Sequence, residues 1–295
     1  MFTRIISTIE HKTLKEYFAA SNNNSPGENA PNLSGWKKFK EMKKIAIVTG
    51  ASRLNGIGAA IAITLAGRGM DIFLTYWSAY DREMPWGIGD NEPELLENMI
   101  RGYGVRCERL ELDLSDALAP VKLFDCVEER LGQATILVNN ATYSVSAGHE
   151  NLTAEIIDKH YQVNIRGTML LSSEFVKRFT QKHGGRIINL TSGQSLGPMV
   201  DNIAYAATKG AIEAFTTTLS VEVASKGITV NAINPGPTDT GWMNNEVKKY
   251  ILSKSPAGRI GNPNDVSRLI GFIASGDADW ITGQIIHSEG GFRRE

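Results

Sequence analysis

The sequence predicts a doubly wound α/β domain of the Rossmann type, with about seven parallel strands covered by helices. Short apolar runs alternate with longer segments of helical periodicity from Lys43 onward. Alternation of this kind implies a parallel sheet with helices on both faces. A glycine-rich turn follows the first apolar run and opens the first amphipathic segment. That junction is where such sheets hold phosphates. No internal repeat or second core is evident, so a single domain is expected over residues 42–295.

The strands are expected at Ile45–Thr49, Asp71–Thr75, Cys107–Leu112, Ile136–Val138, Arg186–Leu190, Thr229–Ile233 and Gln284–His287. The helices between them are expected at about 56–69, 92–102, 117–131, 153–181, 203–226 and 264–275. Right-handed crossovers then wind the chain about the sheet in two directions.

Composition narrows the function classes. Lys plus Arg number 31 against 32 Asp plus Glu, a net charge of -1. This balance offers no polyanion-binding surface, so nucleic acid is not an expected partner. The two cysteines, Cys107 and Cys126, lack metal-ligand spacing and read as thiols of a reducing compartment, here the cytoplasm. No metal site is expected. No apolar run approaches the length of a membrane span.

Residues 1–41 differ from the rest of the chain. Ile5, Ile6, Ile9, Leu14, Tyr17 and Phe18 mark one face of a short amphipathic helix. The stretch from Ser21, rich in Asn, Pro and Gly, reads as a linker or disordered segment. Charges interrupt any secretory core. A docking or targeting arm is one reading. The favoured one is a dispensable extension ahead of Met42, which is itself a natural start.

The glycine turn runs from Thr49 through Gly50, Ser52, Arg53, Gly56 and Ile57 to Gly58. Glycines there admit a pyrophosphate to the backbone, and the helix N-terminus adds N–H donors and a positive dipole end. A tight structural turn is the competing reading. The second strand ends without an acid to hold ribose hydroxyls, since none occurs between Leu74 and Asp81. Arg53 can face a 2′-phosphate or be a solvated loop charge. Together these favour NADP, with NAD as the alternative.

Tyr205 and Lys209 lie four apart, on one face of a helix. A free phenol has a pKa of about 10, too high for efficient proton exchange at neutral pH, and a nearby ammonium lowers it. Lys209 can also donate to a nicotinamide ribose. Ser192 follows the strand ending at Leu190, on the sheet edge where ligands bind, and can hold a carbonyl beside Tyr205. It can also be a loop cap. Asn164 sits within a helix, where asparagine is unfavourable. A helix irregularity holding a water near Lys209 is one reason; a surface position is another.

Taken together these residues resemble the classical short-chain dehydrogenase/reductase family over residues 43–295. The matching pieces keep the family's order: the Thr49–Gly58 turn, Asp113 with Leu114, Asn139 with Asn140 and Ala141, then Asn164, Ser192, Tyr205, Lys209, Pro235 and Gly236. The separations of thirteen from Ser192 to Tyr205 and twenty-eight from Asn164 to Ser192 are similar to the family's. The branch most like it holds 3-oxoacyl-carrier-protein reductases.

The resemblance implies a carbonyl–alcohol oxidoreductase acting on a small molecule by hydride transfer. Tyr205 would be its acid or base, Lys209 the pKa partner and ribose ligand, Ser192 the substrate-orienting hydroxyl and Asn164 a support of the proton relay. Asp113 and Leu114 would meet the adenine, and Asn139 and Ala141 the adenosine ribose. Pro235, Gly236, Thr238 and Thr240 would pass along the nicotinamide. It also implies no metal, and a homotetramer or homodimer built on the helices near 153–181 and 203–226. A cofactor-binding sensor or scaffold without turnover is the rival. A non-enzyme has no chemical reason to keep Asn164, Ser192, Tyr205 and Lys209 together.

Three features depart from the family's pattern. Five residues separate Gly50 from Gly56 where three are usual, so Leu54 and Asn55 are extra. Thr142 stands where glycine is usual. The segment from Trp77 to Glu92 is longer and more aromatic than expected. The expectation is that the loop and this segment together reshape the adenine and 2′ pocket; a plain surface loop is the alternative. Trp242, Met243 and Tyr250 are expected to form a substrate lid or to pack a helix.

Overall fold

The structure is a computed structural model and describes residues 43–294. The apolar face and linker expected before Met42 lie outside these residues. Among the described residues, seven strands form one sheet in the order β3-β2-β1-β4-β5-β6-β7. They are β1 (Ile45–Val48), β2 (Asp71–Tyr76), β3 (Cys107–Glu111), β4 (Ile136–Asn139), β5 (Gly185–Leu190), β6 (Ile228–Asn234) and β7 (Ile285–His287). Every pairing between them is parallel. The expected doubly wound fold is therefore the fold observed.

Side chains alternate between the two faces along each strand. Ala46, Val48, Ile72, Leu74, Ile136 and Val138 enter one buried cluster. Ile45, Ile47, Phe73 and Leu137 enter the other. The first cluster is closed by α1 (Ile57–Ala66), α3 (Glu92–Arg101) and α9 (Pro263–Ile273). Alanines and glycine on α1 let α9 approach closely, and Thr64 Oγ1 donates to Ser267 Oγ across that contact at 2.8 Å. The second cluster is closed by α4 (Ala119–Arg130), α6 (Thr168–Arg178) and α7 (Ile203–Val223).

Three segments depart from the predicted pattern. The expected helix 153–181 is α5 (Ala154–His160), a π-helical turn (Tyr161–Gly167) and α6 in succession. The irregularity coincides with Asn164. Residues Ser78–Glu83 form a short helix, α2, inside the segment read as a loop. Asn245–Ser253 form α8, which is capped by Asn244. Helices this short give little periodicity to read, and their stability comes from packing.

Asp71 anchors the amino end of the sheet. Its carboxylate is wholly buried. It meets Lys43 Nζ at 2.7 Å, Arg106 Nε at 2.8 Å and the Arg106 backbone N–H at 2.8 Å. Burial opposes the charge, but these donors outweigh it and hold the carboxyl below its ordinary range. Because the folded pKa is depressed, the stability it contributes is present above the unfolded value, near 3.9, and lost as pH falls through the folded one. Asp71→Ala is expected to cost about 1.5–3 kcal/mol, with the flanking cations exposed enough to keep the loss near the lower end. Chemical denaturation at pH 7 measures it; a loss that vanishes at pH 7 and appears only near pH 3 contradicts the account.

Candidate active site

A cleft of about 1040 Å³ runs along the carboxyl edge of the sheet. It opens where β1 and β4 lie side by side and the chain leaves them in opposite directions, the switch point at which open α/β sheets bind ligands. All the predicted site residues line it except Asn139, Asn164 and Lys209.

The glycine turn is shaped by close approach. Gly50 has φ of +70°, and a Cβ there would lie 2.6 Å from Ala141 Cα. A Cβ on Gly58 would lie 2.7 Å from Gly50 O. Asn140 Nδ2 donates to Thr49 O at 2.8 Å and Gly50 O at 3.0 Å, so the turn is pinned to the loop after β4. Among the described residues, no side chain caps the first turn of α1, and no acid lies in it. Its backbone donors and positive dipole end are left to an anion, which is the fit a nucleotide pyrophosphate requires.

Asn139 is a correction. Its amide is buried and donates to Ser172 Oγ at 3.1 Å and Asn189 Oδ1 at 2.8 Å, away from the cleft. It is the last residue of β4 and its side chain falls on the helix-covered face; Asn140 and Ala141 meet the cleft instead. Asn140 was visible in the motif, but only the strand's end register separates its role from its neighbour's.

Arg53 already has partners. Its Nη1 donates to Thr240 O at 2.8 Å, and its Nε lies 3.3 Å from Asp81 Oδ1. Its guanidinium sits 5.1 Å from the centre of the Trp86 ring. Trp86 Nε1 in turn donates to Asp81 Oδ1 at 3.1 Å. Glu92 accepts from the Leu54 N–H at 2.6 Å, so the extra loop residues are docked on the Trp77–Glu92 segment. Arg53 still lines the cleft, as one member of a cross-linked wall.

That wall continues toward Tyr205. Tyr80 donates its hydroxyl proton to Ser144 O at 3.2 Å and accepts from Ser144 N at 3.1 Å. Its ring packs 5.5 Å from that of Tyr143, which meets His160 edge-on at 4.9 Å. The sequence marked this segment only as unusually long and aromatic.

At the other end of the cleft, Ser192 follows β5, and Tyr205 projects from the first turn of α7. Burial raises the Tyr205 pKa, and a hydrogen bond with Ser192 opposes the rise. Lys209 lies behind, only 4% exposed, with Nζ 5.5 Å from the centre of the Tyr205 ring. Nζ donates to Leu190 O at 2.8 Å. Burial without a counterion pulls the Lys209 pKa down to about 8. In the protein alone, burial therefore wins over the expected lowering of the phenol pKa. The bond to Leu190 uses one of three N–H donors, which leaves two for a nicotinamide ribose.

Asn164 also acts from behind the surface. Its Oδ1 accepts from Tyr143 N at 2.7 Å and Thr142 Oγ1 at 3.1 Å. Its Nδ2 donates to Tyr143 O at 2.9 Å and Thr208 Oγ1 at 3.1 Å. Both donors and both acceptor sites are used. The side chain ties the loop after β4 to α7, one residue from Lys209. Of the expected lid, Trp242 and Tyr250 line the cleft, while Met243 is buried in packing.

With this geometry in place, comparison with known proteins is decisive. The family model described as Enoyl-(Acyl carrier protein) reductase matches residues 50–293. The chain belongs to the classical short-chain dehydrogenase/reductase family. It is an oxidoreductase. It is 50% identical over 254 residues to the uncharacterized oxidoreductase YjdA of Bacillus subtilis, covering 85% of this chain and 98% of that one. It is 30% identical over 259 residues to the 3-oxoacyl-[acyl-carrier-protein] reductase FabG of Aquifex aeolicus, covering 86% and 99%. Among solved structures, a short chain dehydrogenase from Burkholderia cenocepacia in complex with NADP superposes with a TM-score of 0.76 at 30% identity, covering 84% of this chain and 97% of that one.

Proposed function

We propose that this oxidoreductase reduces a small-molecule carbonyl to an alcohol with NADPH, and runs the reverse reaction with NADP. The observation that carries the reading is that Tyr205 and Ser192 line the same cleft as a phosphate-shaped turn, with the Lys209 ammonium 5.5 Å from the centre of the Tyr205 ring. The NADP held by the Burkholderia relative supports the choice of cofactor.

A bound nicotinamide would supply the hydride. The turn from Gly50 to Gly58 and the N-terminus of α1 would hold its pyrophosphate, and Asp113 and Leu114 would border the adenine. Pro235, Gly236 and Thr238 form the opposite wall. Thr238 keeps its own loop closed by donating to the Pro235 and Gly236 carbonyls, both at 3.2 Å. Ser192 donates to the substrate oxygen and fixes it beside Tyr205. The phenol delivers its proton to that oxygen as negative charge develops there. The phenol holds a proton to give at neutral pH, while burial, by raising its pKa, weakens it as an acid until an opposing charge or hydrogen bond acts on it. Lys209 replaces the proton from behind, and Asn164 fixes the Tyr143 loop and α7 relative to one another. The finer reading, a 3-oxoacyl thioester as substrate, rests on the Aquifex relative alone. A cofactor-oxidation screen over acyl thioesters, sugars, steroids and simple ketones tests it.

Tyr205→Phe is expected to lower kcat by roughly 10²–10⁴-fold while nucleotide binding persists. Turnover that survives this change refutes the assigned acid. The pH profile follows from Lys209, whose proton is bound below about 8 and lost above it. The kcat/KM for reduction is therefore expected to be level on the acid side and to fall as pH rises through that value. A profile rising across the same interval contradicts the relay. Asp81 draws on the charge of Arg53, so Asp81→Asn is expected to raise the NADPH-to-NADH affinity ratio by about tenfold. Equal titrations of the two nucleotides in wild type and variant would sink both the NADP preference and the role of Arg53.

A further inference from the structure

After β7 the chain turns back over the cleft through residues 288–294, and Arg294 enters its wall. Its side chain is largely buried, 16% exposed. It lies along the loop that carries Ser192. A Cβ on Gly197 would fall 2.8 Å from Arg294 Cδ, and a Cβ on Gly193 would collide with the guanidinium itself. Two glycines thus make the bed for this one side chain, and its charged end stops beside the residue that follows Ser192.

The guanidinium is paired with one acid and lies over the ring of Phe292, 5.3 Å from its centre. Glu289 takes it end-on, with Nη1 to Oε1 at 3.0 Å and Nη2 to Oε2 at 2.6 Å. Glu289 is itself fixed by Asn234 Nδ2 at 3.0 Å and by packing on Gly236. The carboxylate stands behind the wall, while Arg294 lines the cleft. A guanidinium carries five N–H donors in one plane. Two go to Glu289, and the rest have no acceptor among the described residues. Met199, Val200, Trp242 and Phe292 are apolar members of the same cleft lining. A fork with donors to spare, facing a cavity beside the carbonyl-orienting serine, is the geometry for a planar anion.

We propose that Arg294 is a specificity-determining residue that binds a carboxylate on the substrate, so that the enzyme takes oxo acids in preference to neutral carbonyl compounds, thioesters included. Glu289 positions the fork, and Gly193 and Gly197 admit it. This rests on the carbonyl-reductase reading and names its substrate class.

The test uses oxo acids of increasing chain length, each paired with its neutral methyl ester, on the full chain with NADPH. In the wild type the best acid is expected to exceed its ester in kcat/KM by about ten- to a hundredfold, the range of one charge-assisted contact. In Arg294→Gln the acid-to-ester ratio is expected to collapse toward one, chiefly through KM for the acid. Arg294→Lys keeps the charge without the fork and is expected to retain part of the ratio. An ester turned over as well as its acid by the wild type overturns the proposal. So does an Arg294→Gln enzyme that loses activity on both alike, because that is the behaviour of a mere anchor for this segment. Tryptophan fluorescence, with Trp242 on the same wall, gives the binding preference without turnover. Acids that bind better than esters in wild type but not in Arg294→Gln, with no cofactor oxidation, would keep this inference and overturn the reaction reading instead.

Discussion

The grip between the ends of β1 and β4 is the constraint on which the cleft depends. Thr49 Oγ1 accepts from the backbone N–H groups of Asn140 at 3.0 Å and Ala141 at 3.1 Å. The Asn140 amide returns two bonds to the Thr49 and Gly50 carbonyls. Without a side chain at Gly50 the two loops can touch; with one they cannot. The crevice between diverging loops is therefore narrow at its base and open above. Everything that meets a ligand, from the α1 N-terminus to Tyr205, is arranged around that crevice.

The chemistry at the far end arises from burial. Tyr205 and Lys209 share a helix face, yet the ammonium is not simply a charge beside a phenol. Lys209 is buried and Tyr205 half-buried in the cleft wall, and each is pushed toward its neutral form: the phenol keeps its proton and the amine holds its own less firmly. In the proposed reaction the ammonium gives up its proton readily, while the phenol needs the developing alkoxide to draw its own away. Asn164 fixes the helix that carries both of them against the loop after β4 by committing its whole amide to that loop and Thr208. A π-helical turn places it there, and such turns are tolerated chiefly where a site gains from them.

Two segments build walls of the cleft, one of which, Trp77 to Glu92, is longer than the family's general pattern. The stretch from Trp77 to Glu92 folds a short helix onto the glycine turn, where Asp81, Trp86 and Glu92 engage Arg53 and Leu54. The stretch after β7 lays Arg294 beside Ser192. In the proposed reaction the first would bear on the nucleotide and the second on the substrate. In each case an arginine is held by an acid, which fixes the direction of some of its donors while offsetting some of its charge.

The doubly wound sheet, the phosphate-shaped turn and the candidates Ser192, Tyr205, Lys209 and Asn164 were all legible in the linear chain. They follow from local pattern: apolar runs of strand length, amphipathic periodicity, glycines at one junction, and polar residues at intervals that a helix or strand end converts into a shared face. Folding in three dimensions was needed to establish that Asn140 meets the cleft while Asn139 faces the core, because one residue of strand register reverses a side chain. It was needed as well to bind Arg53 to Asp81 and Thr240, to raise rather than lower the Tyr205 pKa, and to bring Arg294 to Ser192. Each of these depends on residues far apart in the chain, on their removal from water and on the direction of single hydrogen bonds. Periodicity and spacing carry none of that information.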